Sequence, residues 1–220
     1  MRHSTLLLNQ VLCHYILLTE ILIHMNEIVQ YIKDKGGYAR QTELREHGFQ
    51  SRDISKLFSE GTLEKVQPGL YKLSDSDVTS GFVDVSKAIP QAVIALASAL
   101  AYYELTTFNP SKVHLAIPND SKPPKLNFPP VEVYYFRERP YETGIDEINI
   151  QGHTVRIYNR EKTVCDMFRY RNKLGEDLAL EGLKNYLSLP EANVNKLQHY
   201  MKICRVKTVM KPYLKAFLSL

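Results

Sequence analysis

The sequence predicts an α+β chain, and three observations carry that prediction. Residues 26–73, NEIVQYIKDKGGYARQTELREHGFQSRDISKLFSEGTLEKVQPGLYKL, hold three short helical patterns separated by glycines. Two β-prone runs follow them and meet at Gln67-Pro68-Gly69-Leu70. Farther on, strand-like runs are mixed with helical ones and then give way to a helical C-terminal half. Together these patterns predict an N-terminal winged helix-turn-helix followed by an α+β C-terminal domain with a small sheet and several C-terminal helices.

In the first helical segment Ile28, Tyr31 and Ile32 fall on one face, and Gly36-Gly37 supplies the stop. The second is short, Gln41–His47, and ends at Gly48. The third starts at Ser51 as N-cap, with Ile54, Leu57 and Phe58 at i, i+3, i+4 spacing expected in the core. Arg52, Lys56 and Ser59 then cluster opposite that face. A cationic stripe on a short helix, placed after a helix and a turn, is what insertion into a major groove requires. Thr62–Val66 and Leu70–Leu73 form the ribbon, with Pro68 and Gly69 at the central positions of a type II turn. Lys65 and Lys72 lie on the ribbon and Gln67 near its tip, where a phosphate or a minor groove would be met. The DNA-facing set is therefore Arg40, Gln41, Ser51, Arg52, Ser55, Lys56, Ser59, Lys65, Gln67 and Lys72. The bland alternative is a module that mediates protein contacts only. Residues 25–73 hold 8 Lys+Arg against 7 Asp+Glu, a net of +1, so this is no broad basic patch.

With the module assigned to 25–73, the polar stretch 74–84 is expected to be a linker, leaving 85–220 to bury a core of its own. The net charge of +4 is unevenly spread: 151–220 holds 13 Lys+Arg against 6 Asp+Glu, 74–150 holds 6 against 10. The cysteines, Cys13, Cys165 and Cys204, are far apart in sequence and form no Cys-x-x-Cys pair, which argues for reduced thiols in a cytosol. Neither a metal nor a cofactor is expected. Residues 1–24 form an apolar extension whose stretch 5–23 is interrupted by Asn9, Gln10, His14 and Glu20. Three origins stand for it: an upstream start-codon artefact, an extra helix that packs on the module or a partner, or a membrane or export segment. No membrane association is expected of the rest.

In the second domain Ala88–Tyr103 carries no charge and is expected to be a core helix, with Pro90 in its first turn. Val113–Ile117 and Val131–Phe136 are strand-like, and Ile145–Ile150 with Thr154–Tyr158 suggests a hairpin across Gln151-Gly152. Helical patterns fill 160–172, 176–188, 191–203 and 206–218. A search for catalytic motifs finds no Gly-x-Gly-x-x-Gly, no Walker A, no His-x-x-x-His and no Glu-x-Lys triplet. His114, inside an apolar strand, is expected to be structural. Asp166 falls near the apolar face of Val164, Met167 and Phe168, where a carboxylate needs a donor; Arg169, Arg171 or a backbone amide would serve. That predicts a structural ion pair, the alternative being a charge cluster facing RNA or a partner. The last helices present a row of cations, of which Lys202, Arg205, Lys207 and Lys211 form a candidate contact surface.

The chain resembles the AbiEi-type antitoxins. The residues that carry the resemblance are Tyr31-Ile32 through Gly36-Gly37-Tyr38-Ala39-Arg40, Ile54-Ser55-Lys56-Leu57, Gly61-Thr62-Leu63 and Gly69-Leu70-Tyr71 in the module. In the second domain they are Ala97-Ser98-Ala99-Leu100, His114-Leu115-Ala116-Ile117-Pro118 and Arg160-Glu161-Lys162-Thr163-Val164-Cys165-Asp166. It covers about 25–215, and Ala39-Arg40 departs from it where a Thr or Ser often caps the second helix. The resemblance implies a cytoplasmic, non-enzymatic transcriptional regulator of a type IV toxin–antitoxin system active in phage defence. Its implied partners are operator DNA carrying an inverted repeat and a nucleotidyltransferase-like toxin, with which it need not form a stable complex. Lys202, Arg205, Lys207 and Lys211 would then be the antitoxin surface. A winged-helix-fused nuclease and a protein–protein adaptor are the alternatives.

Overall fold

The computed structural model describes residues 19, 22–76, 80–123 and 125–219, a mixed α and β structure in two compact units that divide between residue 79 and Ser80. Among the described residues no helix is long and apolar enough to cross a membrane. The apolar stretch 5–23 lies almost wholly outside them, although Leu22 and Ile23 are exposed residues of the first helix.

In the first unit, helix α1 spans 22–34 and inserts Met25, Ile28 and Ile32 into a core shared with Leu44, Ile54, Leu57, Leu63 and Leu73. Burying a side chain such as Ile28 or Ile32 completely is worth about 1.5–3 kcal/mol, far more than helix propensity supplies to so short a segment. The Gly37 N–H donates to the Ile32 carbonyl at 2.8 Å and the Gly36 N–H to that of Lys33 at 2.9 Å, closing α1 with a left-handed glycine. Gly48 and Gly61 end the next two helices in the same way. Strand β1 (Tyr38–Arg40) leads into α2 (Gln41–Glu46), a four-residue turn leads to α3 (Ser51–Ser59), and β2 (Leu63–Gln67) and β3 (Leu70–Leu73) follow. The three strands form one antiparallel sheet in the order β1-β3-β2. Gly69, at φ 79, turns β2 into β3.

Three details differ from expectation. Gln50, not Ser51, is the N-cap of α3. Phe58 stays 47% exposed, because the buried stripe of α3 is only Ile54 and Leu57 wide; its ring sits edge-on to Tyr71. The start of α2 is secured without a Thr or Ser, since the Glu43 carboxylate accepts the Arg40 backbone N–H at 2.8 Å.

The second unit opens with α4 (Gly81–Ala88), which begins inside the stretch expected to be linker and is capped by the Ser80 hydroxyl. Next come β4 (Val93–Ile94), α5 (Leu96–Tyr102), β5 (Val113–Pro118), β6 (Val131–Phe136), α6 (Glu138–Glu142), β7 (Ile145–Ile150) and β8 (His153–Tyr158). The chain finishes with α7 (Arg160–Arg169), α8 (Arg171–Leu174), α9 (Glu176–Leu187), α10 (Val194–Ile203) and α11 (Lys207–Leu218). The uncharged run 88–103 is therefore not one helix. It breaks at Pro90-Gln91, and the β-branched pair Val93-Ile94 becomes the central strand of a five-stranded sheet, order β6-β5-β4-β8-β7. Strand β4 runs parallel to β8 and antiparallel to β5, β5 is parallel to β6, and β7–β8 is the expected hairpin. Helix α7 is buried from Glu161 to Phe168 and packs against α5, α9 and α10.

Candidate functional site

On α3 of the first unit, Ser51, Arg52, Ser55, Lys56 and Ser59 are all exposed, on the side away from Ile54 and Leu57. Of the two cations Arg52 is the more exposed, at 78% against 47% for Lys56, with its Nε 3.5 Å from Asp53. Lys56 lies 3.9 Å from Glu60, and the Ser59 hydroxyl donates to the Lys56 carbonyl at 2.8 Å. The Lys56–Glu60 pair is at the surface, where such pairs contribute only about 0–1 kcal/mol, and the Arg52 guanidinium is exposed although Asp53 is largely covered, so both cations can exchange partners.

The ribbon divides the remaining candidates. Lys65 is exposed, its ammonium 6.0 Å from the Tyr71 ring. Lys72 is largely covered and pairs with Glu64 at 3.4 Å across the strands. Gln67 is only 5% exposed, contrary to its expected place at an exposed ribbon tip. The cause is a register shift between Lys65 and Gln67: the bulge turns both Val66 and Gln67 inward, where strict alternation would bury only one of them. Arg40 is half-buried at the start of α2, and the Gln41 backbone N–H donates to the Gly69 carbonyl at 2.8 Å, tying α2 to the hairpin turn.

In the second unit the four expected cations separate. Lys207 and Lys211 are exposed on α11. Lys202 and Arg205, at the end of α10, line a cavity of about 670 Å³ together with Arg137, Arg139, Arg169 and His199. Sequence inspection missed these last four because they come from three different elements. The net charge of +7 over 151–220 covers Arg169, Lys202 and Arg205, whereas Arg137 and Arg139 lie in 74–150, whose net charge is −4.

A second cavity, bounded by Tyr102, Tyr103, Glu104, Asp146, Glu147 and Arg160, is predominantly acidic. Burial first, and then the Asp146 carboxylate, push the Tyr103 hydroxyl well above its ordinary pKa, while the Arg160 guanidinium sits 5.2 Å from the ring. His114 is buried in β5, with its Nε2 3.9 Å from Glu132 and burial lowering its pKa. Cys165 and Cys204 are free and buried, and burial followed by the neighbouring Cys204 thiol raises the Cys165 pKa. Distant in sequence, these two cysteines are neighbours in the fold. Among the described residues no cluster of His, Cys, Asp and Glu is placed to hold a metal ion.

No model of a known protein family matches the chain, and no curated protein does.

Proposed function

We propose that the chain is a DNA-binding transcriptional regulator of the AbiEi antitoxin type, a cytoplasmic binding protein and not an enzyme. Its first unit acts as a winged helix-turn-helix, with α3 entering a major groove and the β2–β3 hairpin serving as the wing. The observation that carries the proposal is α3 itself: it buries Ile54 and Leu57 while Arg52, Ser55, Lys56 and Ser59 stand exposed on its outer side. Further support comes from the element order α1-β1-α2-α3-β2-β3, with a short glycine-containing turn between α2 and α3. The toxin-countering role rests on the resemblance alone, with the basic second unit as the surface that would serve it.

The test is a gel shift on the promoter of the chain's own operon. Arg52→Ala should weaken binding by about 1–3 kcal/mol if its guanidinium reads a guanine in bidentate fashion. Footprinting should show two half-sites about one helical turn apart, as an inverted repeat demands. A folded Arg52→Ala/Lys56→Ala double variant that binds as tightly as the parent would overturn the assignment of α3.

One observation favours a second function, that of a protein-binding adaptor: both α3 cations have acidic neighbours, and the module's net charge is only +1. An adaptor would show no salt-dependent affinity for duplex DNA, whereas each neutralised phosphate adds about 0.9 to the salt slope.

A further inference from the structure

The second unit engages many of its cations in ion pairs: Arg160 with Glu191, Lys162 with Asp166, Lys173 with Glu132 and Lys196 with Glu161. Five others converge on the 670 Å³ cavity: Arg137, Arg139, Arg169, Lys202 and Arg205. Glu138 is the one carboxylate in the lining, so five cations against one acid leave a net of +4. Among the described residues none of the five makes an ion pair. Cations gathered around one concavity repel each other and focus a positive potential into it, which an anion of comparable charge relieves.

Complementing helix dipoles accounts for part of this arrangement. Arg169, Lys202 and Arg205 lie at the C-terminal ends of α7 and α10, where a cation is favoured. Arg137 precedes α6 and Arg139 lies within that five-residue helix, which is too short for a dipole to account for either.

The backbone adds an independent observation. The Arg205 N–H donates to the Lys202 carbonyl at 3.2 Å and the Val206 N–H to that of Met201 at 3.0 Å, so Arg205 occupies the left-handed closing position of α10, at φ 60. Glycine fills that position after α1, α2 and α3. An arginine there is strained by its Cβ, and strain of this kind persists at ligand sites. Glu104, at the end of α5, is a second non-glycine residue so placed, and it too lines a cavity. The Arg169 guanidinium, finally, is held 5.6 Å from the Phe136 ring and 5.7 Å from that of Tyr170. These ring contacts pre-organise its planar fork.

We propose that this cavity binds the oligophosphate chain of a small anion, either a nucleoside triphosphate or an inorganic polyphosphate. Guanidinium groups take phosphate oxygens in bidentate fashion, and the several negative charges of a triphosphate match the net +4 of the lining. The volume falls within the range of about 300–1,000 Å³ typical of small-molecule sites. All of its lining residues belong to the second unit, whereas DNA binding is proposed for the first.

Calorimetry on the full chain at an ionic strength of about 0.15 M tests the proposal, with tripolyphosphate, ATP and inorganic phosphate as probes. Saturable binding of tripolyphosphate or ATP, with inorganic phosphate far weaker, is the expected result. ATP binding more tightly than tripolyphosphate would identify the nucleotide as the source; equal or weaker binding would identify the inorganic chain. Arg205→Gly relieves the left-handed strain, so its Tm should hold or rise, yet affinity should fall about ten- to a hundredfold. Arg169→Gln should weaken binding as well. Failure of both oligophosphates to bind would overturn the proposal, as would undiminished affinity in a folded Arg205→Gly variant. A single-stranded oligonucleotide that binds in an Arg205-dependent way, when tripolyphosphate does not, would overturn it in favour of a nucleic-acid backbone.

Discussion

Lys162 and Asp166, one turn apart on α7, form an ion pair in which neither side chain has any solvent exposure. The ammonium also lies 4.1 Å from the centroid of the Tyr158 ring and 4.9 Å from that of Phe136, a site that favours a cation. The other carboxylate oxygen, Oδ1, accepts from the Cys204 thiol at 3.3 Å. Both charges are thus compensated inside the core, and α7, α10 and the sheet are joined by one polar network. Asp166 points away from solvent and takes no part in a surface charge cluster.

Breaking this pair from one side should be severe. Lys162→Met or Asp166→Leu alone leaves a buried charge without its partner, and a loss of about 3–5 kcal/mol is expected in urea unfolding. The double variant Lys162→Met/Asp166→Leu should recover most of that loss, because two apolar side chains of similar volume avoid the desolvation cost. Additive losses in the double variant would show that the pair is not the interaction that matters.

How far this fold could be foreseen depends on the range of the interactions. The helices of the first unit, the turn at Pro68-Gly69 and the β7–β8 hairpin follow from local periodicity and turn chemistry, with the N-cap of α3 and the exposure of Phe58 as exceptions. Asp166 was recognisable as a carboxylate in need of a donor, but the donors sought lay after it on the helix, whereas the partner is four residues before it. The split of 88–103 was hidden because composition cannot tell a buried helix from a buried central strand, and only pairing with β5 and β8 decides. The bulge that buries Gln67 and the cavity shared by α6, α7 and α10 depend on tertiary register, to which no single segment testifies.

His114 should make the second unit acid-sensitive. Burial lowers its folded pKa, outweighing the Glu132 carboxylate, which acts in the opposite sense. Between the depressed folded pKa and the unfolded value near 6.5, the unfolded chain binds more protons, so stability rises with pH there. The contribution is complete above about pH 6.5 and is lost as pH falls through that window. His114→Gln should flatten this part of the stability–pH curve measured by denaturant unfolding between neutral and mildly acidic pH; an unchanged slope would remove His114 as its cause.

The ribbon offers a test in which two neighbouring residues should behave differently. Under the proposed DNA-binding function, Lys65→Ala removes an exposed cation from the wing and should lower the salt slope of operator binding by about 0.9 without changing stability. Gln67→Ala truncates a buried side chain and should lower Tm while leaving the affinity of the folded protein unchanged. The reverse pattern would mean that the hairpin approaches DNA through its bulged side.

The final prediction concerns the proposed division of labour between the two units. If the second unit counters a neighbouring nucleotidyltransferase-like toxin, its surface cations are the groups available to meet an acidic partner or the RNA that such a toxin modifies. Lys202 and Arg205 border the basic cavity, while Lys207 and Lys211 lie outside its lining on α11. Reversing all four to Glu should abolish protection in a toxicity assay and leave operator binding intact, because the helix proposed to read DNA lies in the other unit. Reversing only Lys207 and Lys211 then shows whether protection needs the wider face of α11 or only the cavity rim. Loss of protection and operator binding together would mean that the second unit also supports DNA binding, and full protection in the fourfold variant would leave these lysines and Arg205 no part in countering the toxin.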